Sequence, residues 1–289
     1  MDRGARLGKT DPLGANPDNI MSTDSGIYLE YWGLRGKPFE NVPDPESFYL
    51  SESHSWALNL LEYAITERKA AALLTGEYGT GKTTMIRVLL GKIDLENYCT
   101  VLINYPLVEG AALFRHMLEQ MGAEPKEHAD KSELYNQLGS CFLENASRGL
   151  HNLVILDEAQ SLPLDSLYEE LRLLLNYQLN DRNLVTLLLV GQDDLWNRVS
   201  QMPQLADRFA VKCRLQELDF EQMTTYIRHR LDHFGGDPAI FSDEALKLIH
   251  ESSRGIPRRI NNLCDLALLM GFQRELKLVG PDIVTAIWV

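Results

Sequence analysis

Short apolar runs alternate with stretches of helical periodicity between residue 28 and about residue 218. The runs contain few polar side chains, which is typical of parallel strands that helices cover on both faces. We predict five strands, at residues 70–75, 100–105, 153–156, 184–190 and 211–215. We predict helices between them, at residues 82–90, 113–121, 131–145, 165–175 and 194–199. The pattern therefore predicts a three-layer α/β domain with a five-stranded parallel sheet.

The last part of the chain has helical patterns and no predicted strand. Apolar spacing, capping residues and prolines predict four helices, at residues 219–234, after Ser242, from Pro257 and from Pro281. We therefore expect an α/β domain at residues 27–218, followed by a small all-helical lid domain at residues 219–289.

The first part of the chain divides into a tail, a covering segment and a helix. Residues 1–26 are rich in Gly, Asp, Asn and Pro and lack periodicity, so we expect a disordered tail or a vector-derived segment. Closely spaced prolines at residues 38–45 then predict that residues 28–49 form an ordered strap over the α/β core. Its aromatic residues, some of which we expect beside an adenine, are Trp32, Phe39, Phe48 and Tyr49. A helix capped by Ser53 follows, with an apolar face formed by Trp56, Leu60, Tyr63 and Ala64.

The charge balance is acidic, with 28 Lys and Arg residues against 41 Asp and Glu residues and a formal net charge of −13. Such a chain is a poor general binder of polyanions, although it is compatible with a local basic patch. The four cysteines lack CxxC pairing, as is typical of reduced thiols in a cytosolic protein. Apolar runs are shorter than the roughly 18 to 20 residues of a membrane span. Composition thus argues against secreted, zinc-finger and integral membrane proteins.

The most informative motif is GxxxxGK[ST], which lies between the first predicted strand of the sheet and the helix that follows it. A glycine-rich loop in this position points N–H groups at phosphates, and the helix N-terminus adds partial positive charge. Lys82 supplies a charge for the β- and γ-phosphates, and the Thr83 hydroxyl is placed to bind Mg²⁺. The flanking strand and helix distinguish the motif from a chance match. The predicted nucleotide-binding residues of the loop are Gly76, Glu77, Tyr78, Gly79, Thr80, Gly81, Lys82, Thr83 and Thr84.

A second element is an apolar run that ends in Asp157 and Glu158. A buried parallel strand carries the residue at its carboxyl end to the edge of the sheet where ligands bind. We therefore predict that Asp157 holds Mg²⁺ together with Thr83, and that Glu158 orients and deprotonates the attacking water. Strands often end in acidic residues, so this pair becomes specific only because a phosphate loop precedes it.

These motifs resemble those of the AAA+ ATPases, in particular the ExeA/GspA-like branch of general secretion, pilus and exosortase systems. The resemblance rests on the loop, on Asp157-Glu158-Ala159-Gln160, and on the opening, where WGLRGKPF at 32–39 is followed by PDP and FYL. The branch is close to the TnsC, TniB and MuB transposition ATPases. The resemblance covers about residues 28–289, and it implies an oligomer that hydrolyses ATP with Mg²⁺.

The resemblance implies three further site residues. Gln192 matches the polar sensor of the γ-phosphate, on a strand expected beside the phosphate-loop strand; its alternative is a strand end without a role. Arg208 matches the arginine that acts on the nucleotide of a neighbouring subunit, with Arg214 or a merely solvent-facing side chain as the alternatives. Arg258, in the sequence GIPR, matches the second sensor, by which a helical lid contacts the nucleotide.

Two main hypotheses of function follow from this resemblance, and the intact Glu158 argues against a third, a nucleotide-dependent scaffold with negligible turnover. The first is a homo-oligomeric ring or filament that hydrolyses ATP to drive assembly or remodelling in a secretion, pilus or envelope-export system. Such a protein would act on a protein client, in the cytoplasm or at the inner membrane through a partner. The alternative is an ATP-dependent, DNA-binding regulator of transposition. Residues 219–289 contain eight Lys and Arg against ten Asp and Glu, so DNA binding would require an oligomer that concentrates a few arginines along one groove.

Overall fold

The computed structural model describes residues 28–42, 44–104, 110–179 and 181–287, so the predicted tail at 1–26 lies outside the described residues. One sheet contains five strands, β1 (Ala71–Gly76), β2 (Tyr98–Ile103), β3 (His151–Leu156), β4 (Val185–Gly191) and β5 (Phe209–Leu215). The strands lie in the order β2-β3-β4-β1-β5, and each neighbouring pair is parallel. The predicted five-stranded parallel sheet is therefore confirmed.

Helices connect the strands and continue after the sheet. Those within the α/β part are α1 (Glu52–Thr66), α2 (Lys82–Lys92), α3 (Ala111–Gln120), α4 (Lys131–Ser147), α5 (Leu164–Leu174), α6 (Asp193–Ser200) and α7 (Pro203–Ala206). Those after β5 are α8 (Phe220–His233), α9 (Asp243–Ser253), α10 (Pro257–Gln273) and α11 (Pro281–Ile287). Ser242 caps α9 through its side chain and Pro257 occupies the first turn of α10, so both predicted starts are confirmed.

The two faces of the sheet bury separate apolar clusters because successive side chains of a strand point to opposite faces. Leu73 belongs to the cluster formed with α3 and α4, where Phe114 is fully buried. Leu74, the next residue, belongs to the cluster formed with α1 and α2, which contains Leu61. Burial alternates along β5 because it is an edge strand, whereas β1, β3 and β4 are buried throughout.

A third cluster joins the helices after β5 to the beginning of the described chain. Trp32 and Phe39 of the strap are buried among residues of α8, α9 and α10. The sequence predicted a strap over the α/β core. At these two positions the strap packs against the C-terminal helices instead. Phe48 alone among the four strap aromatics contacts the cluster of α1 and β1. The boundary at residue 218 stays a prediction.

The first helix differs from its prediction in its cap and in its buried face. Ser51 is the N-cap, and its side chain accepts a hydrogen bond from the backbone N–H of His54. Trp56 and Tyr63 are 66% and 49% exposed, whereas Ala64 is buried. The aromatic residues thus face outward, because Leu58, Leu61 and Ile65 already fill the space against the sheet. Among the helices that the structure describes, none combines the length and the apolar character that a membrane crossing requires.

Candidate active site

The predicted phosphate loop connects β1 to α2 at the carboxyl edge of the sheet. Gly79 and Gly81 have φ angles of 91° and 99°, a region that favours glycine. The Lys82 ammonium donates to the carbonyl oxygens of Gly76 and Glu77, at 2.9 Å and 3.0 Å. The Thr80 hydroxyl also donates to Glu77 O, at 2.8 Å. The Lys82 side chain therefore folds back onto the loop and binds the loop's own carbonyl oxygens.

Two predicted metal-binding oxygens lie together beside the loop. The Thr83 hydroxyl, in the first turn of α2, donates to Asp157 Oδ2 at 2.8 Å. Asp157 follows β3, and its other carboxylate oxygen accepts from the backbone N–H of Glu158 at 2.9 Å. Hydroxyl and carboxylate oxygens are the donors that Mg²⁺ prefers. The residues present therefore fit a magnesium ion at this point, held by Thr83 and Asp157.

Burial shapes the electrostatics of Lys82 and Asp157. Lys82 is 5% exposed and Asp157 is 2% exposed. Burial lowers the pKa of the Lys82 ammonium, although Glu158 and Asp157 act in the opposite direction. Burial raises the pKa of the Asp157 carboxyl, and the hydrogen bond from Thr83 partly offsets this increase. Each group is thus costly to charge by itself, so the site favours a cation and an anionic ligand that compensate each other.

Glu158 adopts an unusual backbone conformation directly after Asp157. Its φ angle of 52° lies in the left-handed region, and a short 3₁₀ turn follows at Ala159–Ser161. Its carboxylate oxygen Oε2 accepts from the side-chain amide of Gln160 at 2.5 Å. Glu158 also lines the same cleft as the loop. The Glu158 carboxylate therefore lies in the cleft of the loop, and its partner, Gln160, is a residue to which the sequence analysis gave no role. The action of Glu158 as a base stays a prediction.

Gln192 follows β4, whose carboxyl end lies beside that of β1. Thr75 of β1 is in register with Gly191 of β4, so Gln192 comes directly after the position opposite the start of the loop. Its backbone N–H donates to Gln160 Oε1 at 3.1 Å. The next residue, Asp193, is engaged by the guanidinium of Arg214, with the closest contact at 2.7 Å. Arg214 therefore forms an ion pair in its own chain with the residue that follows Gln192.

Arg258 brings the C-terminal helices onto the phosphate loop. It lies in the first turn of α10, and its backbone N–H donates to Gly79 O at 3.2 Å. Its guanidinium carbon lies 4.5 Å from the centre of the Tyr78 ring. A Cβ on Gly79 would come within 2.8 Å of Arg258 Cβ, so this contact requires a glycine in the loop. The structure thus brings Arg258 together with the loop and gives Tyr78 a stacking role.

A cleft of about 870 Å³, including its open mouth, lies between the strap, the loop and the helices α8 and α10. Hydrogen bonds join three of its lining residues: Tyr226 OH donates to Asn261 Oδ1 at 2.6 Å, and Asn261 Nδ2 donates to Asn41 Oδ1 at 3.0 Å. Phe48 and Tyr49 of the strap also line it. The mixed aromatic and polar walls around the phosphate loop fit a mononucleotide.

His54 is a site residue that the sequence analysis missed. It is 3% exposed, and its Nε2 lies 3.0 Å from the carbonyl oxygen of Thr80 in the loop. Its Nδ1 lies 2.5 Å from the Ser51 hydroxyl. Burial lowers the pKa of this imidazole. A histidine in the first turn of a helix has no sequence signature, because only the packing of α1 beside the loop creates this contact.

Arg208 lies far from the loop of its own chain. It precedes Phe209, which pairs with Ala71 at the start of β1, whereas the loop begins after Gly76 at the other end. The length of a six-residue strand is about 20 Å, which exceeds the reach of an arginine side chain. Arg208 is exposed and lines a separate recess with Gln204. It is therefore not brought into the cleft within one chain.

Comparisons with known proteins agree with this geometry. The AAA domain family model matches residues 65–199. Among solved structures, similar chains are the Drosophila ORC bound to DNA (TM-score 0.67, 18% identity, 99% of this chain and 70% of that one) and Cdc6p of Pyrobaculum aerophilum (TM-score 0.63, 19% identity, 82% and 68%). At these identities the likeness concerns the fold. With the sheet order and the phosphate loop, it shows that the chain has the AAA+ fold of P-loop proteins.

Over most of its length the chain is also similar to a secretion protein. It is 35% identical over 263 residues to "General secretion pathway protein A" of Aeromonas hydrophila, a match that covers 90% of this chain and 48% of the relative. The chain thus spans about half the length of that relative. The resemblance to the ExeA/GspA-like branch is confirmed.

Proposed function

We propose that this chain is an ATPase that hydrolyses ATP with Mg²⁺ and works as a homo-oligomer. The observation that carries the proposal is the contact of 2.8 Å between Thr83 and Asp157, beside a loop whose lysine is buried. A hydroxyl at the start of a helix and a carboxylate at the end of a neighbouring strand form the metal site that phosphoryl transfer requires. The likeness to AAA domain proteins supports the same assignment.

The residues divide the chemistry among them. Residues 76–84 hold the phosphates, with Lys82 compensating their charge, while Thr83 and Asp157 hold Mg²⁺. When bound, Mg²⁺ neutralises the charge that develops on the phosphate oxygens. Glu158 accepts the proton of the attacking water. Gln192 and Arg258 sense the γ-phosphate from β4 and from the C-terminal helices.

Arg208 completes the site of a neighbouring copy in this proposal. The register of β5 supports this role, since Arg208 lies about a strand length from its own loop. An exposed arginine at a heterologous interface can stabilise the charge of the transition state on the adjacent subunit. Arg214, the alternative, is already paired with Asp193 in its own chain.

The proposed cellular role follows from the similarity to the general secretion pathway protein. We assign the chain to assembly or remodelling in a secretion or related envelope-export system, because its similar relative is a general secretion pathway protein. This assignment includes a protein client and a cytoplasmic site of action, with recruitment to the inner membrane through a partner. The alternative, DNA-dependent regulation of transposition, has the weaker support, since residues 219–289 carry no excess of basic residues.

The first experiment tests hydrolysis. We expect Lys82→Ala to lose nucleotide binding, and Glu158→Gln to bind ATP while its turnover falls by about 10²- to 10⁴-fold, the usual contribution of a general base. Glu127→Gln, an exposed substitution of the same type, is the matched control and keeps the wild-type rate. Undiminished affinity in Lys82→Ala refutes the loop assignment, and normal turnover in Glu158→Gln refutes the base.

The second experiment tests action between subunits. Arg208→Ala and Lys82→Ala are each expected to be inactive, but an equal mixture forms about one quarter of its interfaces from an intact loop and an intact arginine. Hydrolysis is therefore expected to return in part. Arg182→Ala, a substitution of another exposed arginine, is the control for Arg208→Ala and is expected to keep the wild-type rate. A mixture that stays inactive, while Arg214→Ala is also inactive, would assign the role to Arg214.

The third experiment separates the two cellular hypotheses. Affinity for duplex DNA is measured at several salt concentrations, with and without a non-hydrolysable ATP analogue. We expect weak binding with a shallow salt dependence, since few phosphates would be neutralised. Tight, nucleotide-dependent binding with a steep salt dependence would instead favour the transposition hypothesis.

A further inference from the structure

One side-chain amide links the proposed catalytic carboxylate to the end of the neighbouring strand. Gln160 Nε2 donates to Glu158 Oε2 at 2.5 Å, and Gln160 Oε1 accepts from the backbone N–H of Gln192 at 3.1 Å. The two partners determine the orientation of the amide, because a carboxylate only accepts and a backbone N–H only donates. A primary amide can do both at once from one rigid planar group. Gln160 is thus a bridge between Glu158 and β4.

The turn that carries Gln160 is held in place by a second residue. Arg198 of α6 donates to the carbonyl oxygens of Gln160 and Leu162, at 2.5 Å and 2.6 Å. These bonds come from a charged donor and are stronger than neutral ones. The backbone on both sides of Ser161 is therefore anchored to α6, and the amide has a rigid base from which to reach its two partners.

The strand end opposite is shaped to admit this amide. A Cβ on Gly191 would lie 2.4 Å from Gln160 Oε1 and 2.7 Å from Leu195 Cδ2. Contacts that short do not occur, so any side chain at position 191 would displace both the Gln160 amide and the Leu195 side chain. A glycine here allows Gln160 to reach the N–H of the next residue, Gln192.

We propose that Gln160 is a positioning residue that holds the Glu158 carboxylate in the orientation needed to activate water. The same amide transmits the position of Gln192 to Glu158, so that the sensor and the base move together. This inference rests on the proposed function, because it assumes that Glu158 is the base. The amide touches neither substrate nor metal in this role, and its effect is exerted through Glu158.

The decisive variant is Gln160→Glu. It is nearly isosteric and keeps an acceptor for the N–H of Gln192, but it replaces the donor with a second carboxylate beside Glu158. We expect kcat to fall at least tenfold, while the Kd for ATP stays within about twofold of the wild-type value and the thermal unfolding temperature is unchanged. Gln201→Glu, an exposed residue at the end of α6, is the control for an added charge and keeps the wild-type kcat.

Two further variants keep the test informative if Gln160→Glu does not fold. Gln160→Ala removes the bridge without adding charge, and Gly191→Ala displaces the amide while Gln160 is retained; each is expected to lower kcat with little change in Kd. In a Glu158→Gln background, Gln160→Ala is expected to have no further effect on the residual rate, because a residue that acts only through Glu158 has nothing left to position.

The outcomes separate this inference from the proposed function. If Glu158→Gln is inactive and all Gln160 variants turn over normally, the inference is wrong and the ATPase assignment stands. If the Gln160 variants lose ATP affinity or unfold at lower temperature in proportion to their loss of rate, the residue is merely structural and the inference is overturned. If Glu158→Gln itself turns over normally, the proposed base is wrong and the inference fails with it.

Discussion

Acidification should destabilise the fold through one buried histidine at the start of β3. His151 is 3% exposed, and its Nε2 lies 2.8 Å from the Thr186 hydroxyl oxygen. That hydroxyl donates its own proton to Lys69 O at 2.7 Å, so it accepts from His151, and His151 Nε2 carries a hydrogen. Burial, assisted by the charge of Arg68, lowers the pKa of His151 to about 4 from 6.5.

The magnitude follows from the difference between these two pKa values. Above about pH 6.5 neither state binds the extra proton, and the stability is complete. As the pH falls from 6.5 to about 4, only the unfolded chain takes up the proton, so the free energy of unfolding decreases. A tenfold change in proton affinity is worth about 1.4 kcal/mol, which gives a loss of about 3 kcal/mol over this interval.

The assay is urea unfolding of the wild type and of His151→Gln over this pH range. The variant keeps a donor for Thr186 but cannot titrate, so the free energy of unfolding of the wild type should fall by about 3 kcal/mol relative to that of the variant on acidification. His128→Gln, at an exposed position, should follow the wild type. A difference that stays constant with pH would show that His151 is not held neutral by the fold, and would refute the reasoning.

Two more predictions concern the contacts that close the cleft. Gly79→Ala places a Cβ within 2.8 Å of Arg258 Cβ at a φ of 91°, and we expect α10 to move off the loop and nucleotide affinity to fall at least tenfold, as measured by titration calorimetry. Arg230→Met removes a buried guanidinium that donates to Pro38 O of the strap at 2.5 Å; we expect a loss of about 2 to 4 kcal/mol in the free energy of unfolding and faster proteolysis of the strap.

Matched controls distinguish these effects from general destabilisation. Gly149→Ala has a similar backbone conformation, with φ of 85°, and an added Cβ there meets nothing within 4 Å. It should lower stability without changing nucleotide affinity, and an equal effect on affinity would contradict the role of the Gly79 contact. Arg228→Met, on the exposed side of the same helix, should leave strap proteolysis unchanged; faster proteolysis in this variant as well would contradict the specific role of Arg230.

The sequence alone determined the sheet and the loop, because both depend on local patterns. Apolar runs separated by helical periodicity predicted every strand to within two residues at each end. GxxxxGK[ST] between a strand and a helix predicted the loop, and an apolar run ending in two acids predicted that Asp157 would meet Thr83. These features are readable because backbone geometry and solvent exclusion act on neighbouring residues in the chain.

The tertiary structure decided which distant residues meet. Trp56 and Tyr63 of α1 face outward, because Leu58 and Leu61 fill the space against the sheet, a choice that helical spacing leaves open. The strap packs with the C-terminal helices because their buried faces need a cover that the chain order does not reveal. Gln160 meets Gln192 because β4 lies between β3 and β1, and strand order depends on long-range pairing free energy, which no local pattern encodes.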